Sequence, residues 1–164
     1  MILKLSKSIF VFQKFYMKIK LFFELIKLRL TLLVTFSAVF GFLLSSNQID
    51  YFSLSILIIS GVFVTGSSVI NNQIIEKDLD KLMNRTKGRP LPTNKLSSKN
   101  ALIISFILAI LGLSLMVIFL NNLTALLSFI SLILYTFIYT PLKRVGPIAV
   151  FVGAIPGALP PLIG

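Results

Sequence analysis

The sequence has no cysteine and no histidine. Without cysteine there is no disulfide and no thiolate metal site. Without histidine, a zinc site built on imidazole is excluded, and so is a haem ligated by a histidine of this chain. A metal bound here must be a hard cation on oxygen ligands, with Mg²⁺ the default beside phosphate. Acidic residues are scarce: Glu24, Asp50, Glu76, Asp78 and Asp80 are the whole set. Long polar stretches are scarce too. The apolar fraction is 56% and the mean hydropathy +0.96, more apolar side chain than a soluble domain of this length can hide. The runs 28–46, 51–70, 101–120 and 123–140 are each about long enough to cross a bilayer, which takes about 20 residues. A fifth run starts near Pro147 and reaches Gly164 without a polar stop. The expected fold is all-α: a polytopic transmembrane helix bundle of four spans, with a fifth begun.

Positive charge is abundant, and it is sorted. Of the sixteen Lys and Arg, seven lie from Lys4 to Arg29, seven from Lys77 to Lys99, and two are Lys143 and Arg144. The short links at 47–50 and 121–122 carry none. This alternation is the positive-inside pattern. It predicts a multi-pass protein of the cell (inner or plasma) membrane. The N-terminus, the 76–100 loop and the 141–146 loop are then cytoplasmic. A nucleic-acid surface does not need its charge sorted this way, so no nucleic-acid partner is expected. Residues 1–27 interleave Phe10, Phe12, Phe15, Phe22 and Phe23 with Lys14, Lys18 and Lys20. They read either as an amphipathic helix in the cytoplasmic interface or as a basic leader that only sets topology. The apolar run after them is too long for a signal-peptide core. Residues 28–164 read as part of one membrane domain.

The second span runs to about Ile75 and ends in Thr65, Gly66, Ser67, Ser68, Asn71, Asn72 and Gln73. That face should point into the bundle, away from lipid. Ser97 or Ser98 is placed to cap the third span. Spans three and four, joined at Asn121–Asn122, read as scaffold. The last stretch holds Gly153 and Gly157 four apart, spacing that permits close helix contact. Pro156, Pro160 and Pro161 would break or kink a helix there.

Glu76, Asp78 and Asp80 sit directly before Arg85, Lys87 and Arg89. Both signs of charge crowded against apolar spans point to a ligand that wants both, and metal-bridged phosphate is that class. Asn72, Glu76 and Asp80 are spaced i, i+4, i+8, one stripe of a helix rising about 6 Å per step. Three oxygen-bearing side chains on one stripe can hold Mg²⁺ that takes its other ligands from water and phosphate. Asp78 lies off the stripe. Arg85, Lys87 and Arg89 suit phosphate oxygens, and Lys143 and Arg144, on the same membrane side, are expected to close the far side of that diphosphate pocket. The suitable reaction is loss of diphosphate from an allylic prenyl chain in a dry pocket.

The stretch NNQIIEKDLDKLMNRTKGRPLP at 71–92 resembles the first conserved motif of the UbiA superfamily of intramembrane prenyltransferases. With KLRLTLLVTFSAVFGFLL at 27–44 and the end of the chain, YTPLKR…GAIPGALPPLIG at 139–164, the likeness narrows to the protoheme IX farnesyltransferase branch. It covers about residues 25–164. The resemblance implies a bundle of about nine spans around a central cavity, of which this chain would be the N-terminal half. It implies farnesyl transfer from farnesyl diphosphate to a vinyl group of haem B, giving haem O. It also implies Mg²⁺ bridging the diphosphate to two Asp-rich motifs. Asn72, Glu76 and Asp80 match the first of these, with Glu76 where Asp is commoner in the superfamily. Gly88 stands where many relatives have Asn. No acidic residue follows Asp80, so the second motif is expected from a missing C-terminal half, encoded in the same gene or as a separate chain. Two alternatives stay open: a prenyltransferase acting on an aromatic or quinone precursor, and an inactive or non-catalytic membrane module.

Overall fold

The computed structural model describes residue 13 and residues 16–45 and 48–164. The described residues are helix, turn and loop, with no strand among them. The elements are α1 (Leu28–Ser45), α2 (Tyr51–Ile75), α3 (Lys77–Leu82), α4 (Ser98–Phe119), α5 (Asn122–Ile133), a π-helical segment (Leu134–Tyr139), α6 (Thr140–Leu142) and α7 (Ile148–Ile163). Residues 16–25 are also helical. Four helical stretches are long and apolar enough to cross a membrane: α1, α2, α4 and the continuous run Asn122–Leu142. The shorter α7 is equally apolar in character. The chain is a multi-pass membrane protein.

Local chemistry sets the helix starts. The Asp50 carboxylate accepts from the Phe52 N–H at 3.0 Å and from the Ser53 hydroxyl at 2.6 Å, opening α2. Those two bonds hold its carboxyl below the usual aspartate value, the Ser53 bond contributing most. Ser97 caps α4 by accepting from the Asn100 N–H at 3.2 Å. Asn121 caps α5 by accepting from the Thr124 N–H at 2.7 Å, which fixes the tight turn between α4 and α5. Gly146, at φ 155°, takes a backbone conformation open to glycine and turns the chain into α7.

α2 is the central helix, packed against α1, α4, α5 and the π segment. Its small polar face is buried as expected: Gly66, Ser67, Ser68, Asn72 and Gln73 all point inward. The Ser105 hydroxyl of α4 donates to Asn71 Oδ1 at 2.8 Å and lies 3.0 Å from the Ser67 hydroxyl. Such interhelical bonds contribute about 0.6 kcal/mol each in a bilayer. Gly112 lets the same two helices approach closely, because a Cβ there would sit 2.8 Å from Val64 and 3.0 Å from the Ser60 carbonyl oxygen. Leu33, Phe36, Phe106 and Ile118 face outward, as side chains toward lipid must.

Two sequence expectations meet a different outcome, and a third is not tested. α7 runs as one helix through Pro156, Pro160 and Pro161 without breaking. Proline removes single N–H donors, and neighbouring helices can compensate for that inside a bundle. The fourth span is more than scaffold, because it supplies a wall of the cavity described below. The interfacial helix expected for residues 1–27 lies largely outside the described residues. The end of that segment is visible: Leu25 and Ile26 are buried with Ile70, Leu91, Ala101 and Leu108 in one core cluster.

Candidate functional site

The stripe predicted at Asn72, Glu76 and Asp80 spans a helix junction. Glu76, at φ −88° and ψ 2°, separates α2 from α3. The i+4 bonds continue across it, from the Glu76 N–H to the Asn72 carbonyl at 2.9 Å and from the Asp80 N–H to the Glu76 carbonyl at 2.8 Å. The three residues therefore keep helical spacing although the helix bends.

Each of the three has a partner from another part of the chain. The buried Asn72 amide donates to the Thr140 hydroxyl at 3.1 Å, and Thr140 in turn donates to the Tyr135 carbonyl at 2.8 Å. The Glu76 carboxylate pairs with Lys143 at 3.3 Å. Asp80, only 5% exposed at its side chain, pairs with Arg89 at 2.6 Å. The Thr86 hydroxyl donates to the Asp80 carbonyl at 3.0 Å, and the buried Leu91 anchors the loop beyond Arg89. Asp78 stands apart, exposed and paired with Lys81 at 3.1 Å, as its place off the stripe predicts.

The expected cations divide into two groups. Arg89 and Lys143 meet the stripe directly. Arg144 reaches the end of α2 instead, donating to the Ile75 carbonyl at 2.7 Å, a suitable place for a cation at a helix C-terminus. Arg85 and Lys87 are exposed, and Lys87 donates to the Asn84 side chain at 3.1 Å. Neither makes an ion pair among the described residues.

Beneath this charged rim lies a cavity of ≈ 380 Å³, within the range of ligand sites. Its walls come from α1, α2, α4, α5, the π segment and α7, with Leu33, Val64, Met116 and Pro156 among the apolar residues. Ser68 also lines it, eight residues before Glu76 on α2 and so about 12 Å from the rim. The Thr35 and Ser128 hydroxyls are buried in these walls without a hydrogen-bond partner. Gly157 leaves open space: a Cβ there would meet nothing within 4 Å.

Sequence reasoning missed two residues near the rim. Tyr139 lines the cavity, and the Lys143 ammonium stands 4.6 Å from its ring centroid while also pairing with Glu76. A tyrosine in an apolar span gives no signal of its own. Lys27 is the other. It stands at φ 47° just before α1 and is half-buried. Burial pushes its amine down to about 8, Arg89 and Lys143 push the same way, and Asp80 and Glu76 oppose them. It was visible in the sequence as one more basic residue before the first span, and nothing there set it apart.

The donor set fits Mg²⁺ bound together with phosphate. Two carboxylates and an amide oxygen on neighbouring turns are the sparse protein share that Mg²⁺ accepts when water and phosphate complete its shell. No group of three acidic residues gathers among the described residues, so a fully protein-made cage is not what this site offers.

Comparison with known proteins agrees with this architecture. The UbiA prenyltransferase family matches residues 33–164. A protoheme IX farnesyltransferase of Cytophaga hutchinsonii is 46% identical over 144 residues, covering 87% of this chain and 50% of its own length. Those of Flavobacterium johnsoniae and Rippkaea orientalis are 44% and 36% identical, covering 87% and 89% of this chain and 48% and 46% of their own lengths. The chain thus spans about half the length of the curated relatives it matches. No solved structure matches it. With the family match extending from within α1 to the end of α7 and taking in the charged rim and most of the cavity, the chain belongs to the UbiA prenyltransferase family.

Proposed function

We propose that this chain forms part of an enzyme that transfers a farnesyl group from farnesyl diphosphate to a vinyl group of haem B, giving haem O. The observation that carries the reading is the junction at Tyr139. There a rim of paired carboxylates and cations opens on an apolar cavity, matching a molecule with a diphosphate head and a hydrocarbon tail. The relatives' names supply the choice of haem as acceptor. By the distribution of Lys and Arg, the rim faces the cytoplasm.

Asn72, Glu76 and Asp80 would hold Mg²⁺, which when bound offsets phosphate charge as the leaving group departs. The rest falls to the chain's own side chains. Arg89 and Lys143, now on Asp80 and Glu76, are placed to turn to phosphate oxygens when those carboxylates take other ligands. The carbon–oxygen bond to the first prenyl carbon breaks with both electrons leaving on the diphosphate. The electron-rich face of Tyr139 lies where that carbon enters the cavity, a position suited to a cationic centre. The apolar walls keep water from capturing it. Vinyl π electrons of the acceptor then form the new carbon–carbon bond, and the cation left on the vinyl carbon beside the macrocycle is discharged by addition of water with loss of a proton.

The test uses the full-length protein in membranes, supplied with haem B, farnesyl diphosphate and Mg²⁺. Farnesylated haem should appear by mass spectrometry and vanish when EDTA replaces the metal. Turnover of an aromatic acceptor in place of haem, or no prenylated product at all, overturns the reading. A second expectation concerns the cavity. Gly157→Phe should fill it and lower turnover by at least ten-fold while leaving thermal unfolding near the wild-type temperature, because the substituted side chain enters open space.

A further inference from the structure

The two ends of the cavity differ. Tyr139 and the charged stripe stand at the rim end. Helix contacts narrow the other end. α1 and α7 meet there backbone to backbone: a Cβ on Gly41 would overlap the Pro161 carbonyl, and one on Gly164 would overlap the Ala38 carbonyl. The Thr124 hydroxyl of α5 donates to the Ile163 carbonyl at 3.3 Å and ties the start of the fourth span to the same corner.

Two apolar side chains fill the space beside that corner. Leu57 of α2 and Met116 of α4 both line the cavity, and each is only 1% exposed. Their levels match. α2 and α4 run antiparallel, with Ser67 beside Ser105 toward one end and Phe52 beside Phe119 at the other. Between these points Gly112 packs on Ser60. Met116 lies about one turn beyond Gly112, and Leu57 about one turn before Ser60, so the two side chains share one depth. Val64, Ala125 and Leu132 pack on Met116 and brace it.

The depth can be read along α2. Val69 and Leu57 both line the cavity, twelve residues apart, which is about 18 Å of helix. An extended farnesyl chain is about 14 Å long from its first carbon to its last. Carbon atoms in contact stand about 4 Å apart, so the tip of that chain reaches Leu57 and Met116 and stops. A further isoprene unit adds about 5 Å, for which these side chains leave no room.

We infer that Leu57 and Met116 set the length of prenyl chain that the enzyme accepts, by closing the cavity at the depth of a farnesyl tail. This rests on the proposed prenyl diphosphate reading and adds the residues that choose among prenyl donors. The stop is made of side chains, so substitution can move it without parting the helices.

Binding of farnesyl diphosphate and geranylgeranyl diphosphate to the full-length protein in detergent with Mg²⁺, followed by calorimetry without acceptor, reads chain length apart from turnover. The wild-type protein should favour farnesyl diphosphate by about ten-fold or more. Met116→Ala deepens the cavity and should bring the two affinities within about three-fold of each other, through tighter binding of the longer donor. Leu57→Ala should act in the same direction, and it carries the test if Met116→Ala does not fold. Variants that unfold at lower temperature yet keep the wild-type preference would show two packing residues and overturn the inference. Equal wild-type affinity for the two donors overturns it too, while leaving the diphosphate reading intact. If neither prenyl diphosphate binds more tightly than inorganic pyrophosphate, the cavity does not hold the tail and both readings fall.

Discussion

Asp80→Asn in the full-length protein should lower prenyl transfer by about 100- to 1,000-fold, the range seen when one well-placed charge-stabilising group is lost. The substitution is nearly isosteric. Its side-chain oxygen can still accept from Arg89, so the buried pair becomes a neutral hydrogen bond and Arg89 keeps a partner. Deleting the partner altogether, as in Asp80→Ala, would strand a partly buried guanidinium and destabilise the fold by about 3–5 kcal/mol. Asn separates the two effects. Activity should collapse while the protein still purifies as a folded species, with unfolding shifted by only a few degrees. Steady-state turnover and thermal unfolding, measured on the same preparation, check both halves. Retention of more than a tenth of wild-type activity would remove Asp80 from the machinery.

Gly41→Ala should destabilise the fold strongly for a single added methyl group. A Cβ at Gly41 would overlap the backbone carbonyl of Pro161, an atom that cannot rotate away. α1 and α7 meet at this point, and relief requires the two helices to part. Overpacking of this kind costs about 1–3 kcal/mol, more than the roughly 1 kcal/mol that alanine gains over glycine within a helix. Gly157→Ala provides the control, since the same change on α7 enters open space and should be neutral or slightly stabilising. Unfolding temperatures in one detergent decide the matter. Equal temperatures for the two variants would mean that α1 and α7 do not approach as closely as described.

Much of this was legible in the sequence, for reasons that can be named. Span lengths follow from bilayer thickness, so the four runs could be placed to within a few residues. The caps at Ser97 and the turn at Asn121 follow from local hydrogen bonding. Asp78 could be set apart from Asn72, Glu76 and Asp80 because helical spacing separates them. What was not legible depends on contacts across long stretches of chain. Glu76 meets Lys143, and Asn72 meets Thr140, only because the fourth span returns to the end of α2. Arg144 reaches the Ile75 carbonyl, a contact that depends on where the span ends in space. The cavity walls on the fourth span are built from serine and tyrosine, residues that pass for ordinary filler in an apolar helix. Lys27 looked like one of seven basic residues until the backbone showed its unusual turn.

The π segment gives the fourth span a property of timing. In an α-helix each residue advances the direction of its side chain by about 100°. A π turn holds an extra residue, so everything after Tyr139 is out of phase with everything before Leu134. That offset lets Ser128 and Ser131 look into the cavity while Thr140 and Lys143 address Asn72 and Glu76. A plain α-helix with the same number of residues between 134 and 139 would still cross the bilayer, but it would swing Thr140 and Lys143 about a quarter turn from their partners. A span regularised in that way would keep its topology and lose its register.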